Sequence, residues 1–254
     1  MSGKMKRCLM IGAGGMARGW IDRFFPSFSR RSRIVALVDI DEGALHQKAD
    51  QLGLPPEARF TDFRKAFDEV EADYCTIVTP PWVHRSCIEA ACRHRMAILT
   101  EKPIAGTWKD VVAAYRAVRR ARVKCTVIQN YRYNPSMYTF RAVLREQRLG
   151  RINYIMGKYM ADYRHHGAWG AFRHEIPHSL LIEGAVHHFD MLRNLAGSAA
   201  HADERERLRQ LLQDAIARVE GARPHLDAAP AFDPDGQLSA EIVVEGDSGA
   251  PATR

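Results

Sequence analysis

The stretch Leu9-Met10-Ile11-Gly12-Ala13-Gly14-Gly15-Met16-Ala17 decides how the front of this 254-residue chain folds. An apolar run ends at Ile11, a glycine-rich turn comes next, and a segment of helical character continues to residue 25. The turn matches G-x-G-x-x-A. Gly12 permits the tight turn, Gly14 lets a backbone approach a pyrophosphate, and the small Ala17 lets helix and strand pack closely. Gly15 and Met16 open the helix, where backbone amides attract phosphate. A second apolar run, 34–38, closes on Asp39, which lies 22 residues beyond Ala17, where a carboxylate meets ribose hydroxyls. A glycine turn alone is a weak signal. Strand, turn, helix, strand and terminal acid in that order predict a dinucleotide site. NAD is the expected cofactor, because Asp39 repels a 2′-phosphate; NADP stays open, since Arg18 or Lys48 can soften that repulsion.

Working outward, helices are expected at 41–52, 62–70, 82–94 and 107–122, alternating with apolar strands at 74–78, 97–99 and 123–128. Strands apolar on both faces, each followed by a helix, belong to a parallel sheet covered on both sides. The fold class is therefore α/β, with a Rossmann-type doubly wound sheet over residues 1–128. After that the rhythm changes to a helix at 135–147, a strand at 151–163 and a strongly patterned helix at 178–196, ended by Gly197. This is a second, incomplete α+β domain over 129–254.

Composition sets the outer limits. With 46% hydrophobic and 26% charged residues the chain is not broadly disordered, and no run approaches the roughly 18 apolar residues of a membrane span. The five cysteines, Cys8, Cys75, Cys87, Cys92 and Cys125, are scattered without a C-x-x-C pair, which fits reduced thiols and no zinc site. The net charge of +7 hides a split: from Ser198 onward six arginines face eleven acidic residues, a net of −5, so the first 197 residues carry +12. The positive charges are spread singly. They fit attraction of an anionic cofactor or substrate better than nucleic-acid binding. Lys4, Lys6 and Arg7 before an apolar run superficially resemble a signal peptide, but the glycines, Arg18 and Asp22 beyond them argue for a strand entering a turn. A cytoplasmic protein is expected.

Two more segments sit at strand ends. Thr79-Pro80-Pro81-Trp82-Val83-His84 follows one strand and Thr100-Glu101-Lys102-Pro103 the next, so both lie outside the carboxyl ends of parallel strands, where ligands bind in open α/β sheets. Together with the glycine turn, with Asn130-Tyr131-Arg132-Tyr133-Asn134-Pro135, Leu149-Gly150-Arg151-Ile152 and Glu183-Gly184-Ala185-Val186-His187-His188-Phe189-Asp190, they resemble the Gfo/Idh/MocA oxidoreductases across about residues 5–197. The resemblance implies nicotinamide-dependent hydride transfer at a secondary alcohol of a sugar, inositol or related polyol. It implies that Lys102 contacts the reacting oxygen, that Thr79, Pro80, His84 and Glu101 line the cofactor, and that Arg132 faces substrate. An ammonium beside a nicotinamide cation should have a lowered pKa and can share a proton with a developing alkoxide.

The resemblance carries the family's proton-accepting histidine to His187 and its last acid to Asp190, a substrate contact; Glu183 stands where the family usually has aspartate, as a third catalytic candidate. Independently, Glu183, His187 and Asp190 are spaced i, i+4, i+7 and share one helical face, while Leu181, Ala185, Phe189, Leu192 and Ala196 are expected to pack on the core from the other. A solvated helix with i,i+4 pairs makes the same pattern. His188, nearer the apolar side, is expected to be structural. Between 162 and 178, Trp169 and Arg173 match a pocket-lining loop of the family, as substrate contacts. His165, His166, His174 and His178 in that span invite a metal reading, but Pro177 breaks any helix that would align them; no metal is expected.

The resemblance also implies a large antiparallel sheet after this helix, forming a wall of the substrate site and often the subunit interface. Here 57 residues lie beyond Gly197. They read as an amphipathic helix at 203–220, opened by an Asp203/Glu206 capping box, then one strand candidate at 237–245 without partner strands in an otherwise mobile 222–254. The chain thus reads as a truncated or divergent member after about residue 197, or its tail as an altered reading of a longer gene. An uncovered sheet edge favours pairing with another chain, so a homo-oligomer is expected. Three functions fit: a working polyol or sugar dehydrogenase, a nucleotide-binding sensor or partner subunit without catalysis, and an NAD-dependent glycosidase of the same fold.

Overall fold

The computed structural model describes residues 4–150, 152–158, 176, 180–199 and 244–246. The chain divides into two compact units, Met1–Gln129 with Arg164–Val186, and Asn130–Tyr163 with His187–Arg254. In the first, β1 (Lys6–Ile11), β2 (Ser32–Val38), β3 (Arg59–Phe60), β4 (Tyr74–Ile77), β5 (Ala97–Thr100) and β6 (Cys125–Val127) form one sheet in the order β3-β2-β1-β4-β5-β6. Every pairing is parallel. The chain moves outward from β1 through β2 to β3, then crosses back to β4, so the strand order reverses beside β1. A crevice opens at such a switch point, beyond the carboxyl ends of the strands. The register levels those ends: Ile11 pairs with Val38 on one side and with Ile77 on the other. Gly12, Asp39 and Val78 therefore leave the sheet at one edge.

The connecting helices begin and end where local chemistry dictates. α1 (Gly15–Gly19) continues through a π-helical turn, Trp20–Phe24, into α2 (Phe25–Ser27). The side chains of Asp41, Asp62 and Thr107 accept hydrogen bonds from Ala44, Arg64 and Asp110 and so cap α3 (Glu42–Gln51), α4 (Phe63–Glu69) and α6 (Trp108–Ala121). α5 (Pro81–Arg93) starts on a proline, which needs no amide partner there. Leu9, Met10, Leu37 and Ile77 of the central strands and Ile88 of α5 are fully buried in one core, each worth about 1.5–3 kcal/mol of apolar transfer. The two-residue β3 was not expected, because so short a strand carries no periodicity.

The second unit contains α7 (Pro135–Arg145), β7 (Ile152–Ile155), the length of α8 (Val186–Ala199) from His187 onward, and β8 (Val244–Gly246). β7 and β8 pair antiparallel, with Ile152 opposite Gly246 and Ile155 opposite Val244. The strand candidate at 237–245 was expected to lack a partner; Val244 and Glu245 have one, which corrects that expectation, and 237–243 lie outside the described residues. The helix expected at 203–220 lies outside the described residues. Leu144, Met191 and Leu195 form this unit's small core.

The facial assignment of the 178–196 helix also needs correction. Leu181 and Phe189, expected to be buried, are 54% and 65% exposed, whereas Glu183 is 3% exposed. The cause is a π-helical turn over Leu180–Ala185. Bonding from i to i+5 widens the turn and rotates the succeeding residues away from an ideal 3.6-residue wheel.

Gly12 holds the switch point together. Its φ is +108°, and a β-carbon there would stand 2.1 Å from the Val78 carbonyl oxygen and 3.3 Å from the Ala17 β-carbon. Gly12→Ala is expected to destabilise the protein by roughly 3 kcal/mol or more, combining backbone strain with a clash against a strand end. Urea unfolding checks this; an unchanged midpoint would show that the turn is not seated as described.

Candidate active site

A cleft of about 340 Å³ opens at the switch point. Gly12, Gly14, Gly15 and Met16 form its floor, Asp39 stands on the β2 side, and Thr79, Pro80, Glu101 and Lys102 on the β4 and β5 side, with Glu183. Nine expected cofactor residues are thus brought to one cavity. Ala17 and His84 are not in its lining: Ala17 is buried beneath the turn, and His84 is fully buried behind the wall. Ile40, Thr61 and Phe63 line the cleft without having been anticipated. Thr61 and Phe63 follow β3, whose existence no sequence pattern announced. Ile40 was readable as the neighbour of Asp39.

The residues fit a dinucleotide. A β-carbon on Gly14 would meet no atom within 4 Å, so a ligand has open access to that backbone. The Thr79 hydroxyl is buried with no hydrogen-bond partner among the described residues. Asp39 does more than face the cleft: one carboxylate oxygen accepts from the amides of Ala13 at 2.6 Å and Gly14 at 3.2 Å, the other from Asp41 at 2.9 Å. It fastens the glycine turn to the end of β2. Lys48, expected as a softener of phosphate repulsion, is corrected. Its ammonium donates to both carboxylate oxygens of Asp22, at 2.7 and 2.9 Å, and to Gln51 at 2.8 Å, which uses all three of its donors. Arg18 is exposed.

On the other wall the Glu101 amide donates to the Ile77 carbonyl at 2.9 Å and ties the loop after β5 to β4. Lys102 Nζ donates to the Glu183 carboxylate at 2.9 Å and to the Glu183 carbonyl at 2.8 Å. Their side chains are only 12% and 2% exposed. Glu101 accepts from the Trp20 indole at 2.9 Å and from the Lys102 amide at 3.2 Å. Burial holds its carboxyl above the ordinary range, against the pull of those two donors and of the Lys102 charge; Glu183 pushes the same way as burial. The thiols are not poised as nucleophiles: burial pushes Cys8 and Cys87 up to about 12 and Cys125 to about 11.

Within the second unit, the Arg132 guanidinium grips the Asp190 carboxylate with both forks, Nε at 2.5 Å. Two residues expected to meet substrate are thus bonded to each other. Tyr131 stacks on His187, with ring centroids 4.4 Å apart and planes 7° from parallel, and meets His188 edge-on at 5.6 Å. Trp169 and Arg173 lie outside the described residues. Among the described residues no group of three His, Cys, Asp or Glu is arranged to hold a metal, and no helix is long and apolar enough to cross a membrane.

Residues 6–129 match the family described as "Oxidoreductase family, NAD-binding Rossmann fold", GFO_IDH_MocA. An uncharacterized protein of Sinorhizobium fredii, y4oX, is 40% identical over 194 residues, covering 76% of this chain and 54% of that protein. Residues 6–129 belong to the Gfo/Idh/MocA oxidoreductases. An inositol 2-dehydrogenase of Pseudarthrobacter chlorophenolicus is 24% identical over 196 residues, 75% of this chain and 54% of that protein. The fold is shared with scyllo-inositol dehydrogenase from Lactobacillus casei, whose structure holds NAD(H) and scyllo-inositol (TM-score 0.67, 18% identity, 76% of this chain and 56% of that one). The chain spans about half the length of these curated relatives.

The buried ion pair has a measurable consequence. Lys102→Met leaves the Glu183 carboxylate buried without its cation and should cost about 3–5 kcal/mol of stability. Adding Glu183→Leu should recover most of that loss, since a buried pair replaced by apolar groups is close to neutral. Thermal unfolding of the two variants decides it; equal stability in both would mean the pair is not buried.

Proposed function

We propose that the protein is an NAD-dependent dehydrogenase that oxidises a secondary alcohol of a sugar, inositol or related polyol. The observation that carries the reading is Lys102, held in the wall of a dinucleotide cleft at the carboxyl end of β5 by a buried carboxylate. A bound nicotinamide would supply the hydride acceptor. The amides of the glycine turn and Asp39 hold the dinucleotide, and the apolar side chains of Ile40, Val83 and Met16 in the cleft walls exclude water from it. Lys102 has three N–H donors, two of them directed at Glu183; the third donates to the substrate hydroxyl oxygen and stabilises the alkoxide as it forms. His187 is the proton acceptor that its place in the family motif implies, and the stacked Tyr131 fixes its ring plane. Arg132 and Asp190 serve as a preformed pair that presents polar groups to a polyhydroxy ligand.

The preference for NAD is supported by the pairing of Lys48 with Asp22 and Gln51, which leaves Asp39 to oppose a 2′-phosphate. NADH should bind at least about tenfold more tightly than NADPH, a difference of about 1.4 kcal/mol. Fluorescence titration of both cofactors measures it, and tighter binding of NADPH would overturn the assignment. Asp39→Ala should narrow the gap while also loosening the glycine turn.

Lys102→Ala and His187→Ala should each lower turnover by roughly 10²–10⁴-fold, the usual size of a proton-transfer contribution, with little change in NADH affinity. A panel of inositols, sugars and other polyols, followed by NADH absorbance, supplies the assay. Normal turnover in both variants would remove these residues from the mechanism. A protein that binds NADH and oxidises nothing on the panel would instead be a nucleotide-binding partner or sensor.

A further inference from the structure

His84 has no place in the cleft, yet it is a fully buried, polar residue immediately behind it. It sits on the first turn of α5. Its Nδ1 lies 2.9 Å from the Pro103 carbonyl oxygen and its Nε2 lies 2.8 Å from the Thr79 carbonyl oxygen. The first carbonyl belongs to the loop that carries Glu101 and Lys102, and the second to Thr79, which lines the cleft. Both partners are acceptors only. A neutral imidazole has one N–H and one lone pair, so at one of the two contacts a lone pair faces a carbonyl oxygen inside hydrogen-bond distance. Only the imidazolium donates to both.

We propose that His84 is a positioning residue that ties the loop after β4 to the loop after β5, and that the tie closes fully only when its ring binds a second proton. The inference rests on the dehydrogenase reading for its functional meaning, though not for its geometry. The charged groups facing the ring are Glu183, which favours the imidazolium, and Lys102, which opposes it. Full burial opposes it most strongly, and the ring is held below the ordinary histidine value of 6.5. Above 6.5 the ring is neutral and the tie has one bond; as pH falls through the lowered value the second bond forms and the two walls are drawn together. Folding stability runs the other way, being fully present above 6.5 and lost as pH falls through the lowered value, because the unfolded chain takes up that proton more readily. Acid thus tightens the loops in a fold that it weakens.

The experiment is nitrogen NMR of the ligand-free, full-length chain labelled in histidine and in backbone amides, from about pH 5 to about pH 8. The His84 ring is identified by the signal lost in His84→Gln, or in His84→Asn should the first variant not fold. Expected are one ring N–H at high pH, two at low pH, and shifts of the Thr79 and Lys102 amides with the same midpoint below 6.5. In the variant those coupled shifts disappear, and NADH binding weakens by roughly 3- to 10-fold, the loss of one hydrogen bond. A ring with a single N–H throughout would overturn the proposal, as would Thr79 and Lys102 shifts that persist unchanged in the variant. Because the ring is read without ligand, a failed polyol assay leaves this result intact, and a failed titration leaves the dehydrogenase reading intact.

Discussion

The Val78 carbonyl oxygen lies 2.1 Å from where any β-carbon on Gly12 would stand, and on that approach the ligand side of the sheet depends. With the Gly12 amide bonded to Val38 and the Val78 amide bonded to Ile11, the carboxyl ends of β2, β1 and β4 are stitched into one edge. Asp39 then reaches the amides of Ala13 and Gly14 from β2. Glu101 reaches the Ile77 carbonyl from β5. A larger residue at position 12 would push the turn off β4 and separate the Asp39 wall from the Lys102 wall.

Much polar chemistry is buried behind that edge. Glu101 with the Trp20 indole, Lys102 with Glu183, and His84 with two carbonyls occupy positions that an apolar core could fill at lower desolvation cost. Apolar replacements would pack. They would not point an ammonium into a dinucleotide cleft or fix the carbonyls that shape its wall. The five thiols, by contrast, behave as small hydrophobes with strongly raised pKa values where burial is deepest. The buried polar groups converge on the cleft, while the reactive-looking sulfur stays inert.

The acid–histidine–acid spacing of Glu183, His187 and Asp190 has a different meaning from the one a helical wheel assigns. Glu183 lies on a π-helical turn and pairs with Lys102. His187 and Asp190 lie on the next element, α8, stacked on Tyr131 and bonded to Arg132. The three residues that look alike in spacing therefore act on different partners, and the extra residue in the π turn is what separates Glu183 from the regular face.

The sequence by itself determined the glycine turn, the acid at the end of β2, the alternation that builds a parallel sheet, and the two strand-end segments around Thr79 and Lys102. Each is a local requirement: a positive φ, a cap, a strand buried on both faces, a loop at a strand end. Tertiary structure alone decided that Lys102 pairs with a residue 81 positions away, that Lys48 is consumed by Asp22, that His84 bridges two carbonyls, and that Val244–Gly246 finds β7. Such contacts join residues far apart in the chain, and nothing in their local pattern specifies which acceptor a given donor will meet. The π turn belongs with them, because it breaks the one periodicity from which the exposed and buried faces of that helix are read.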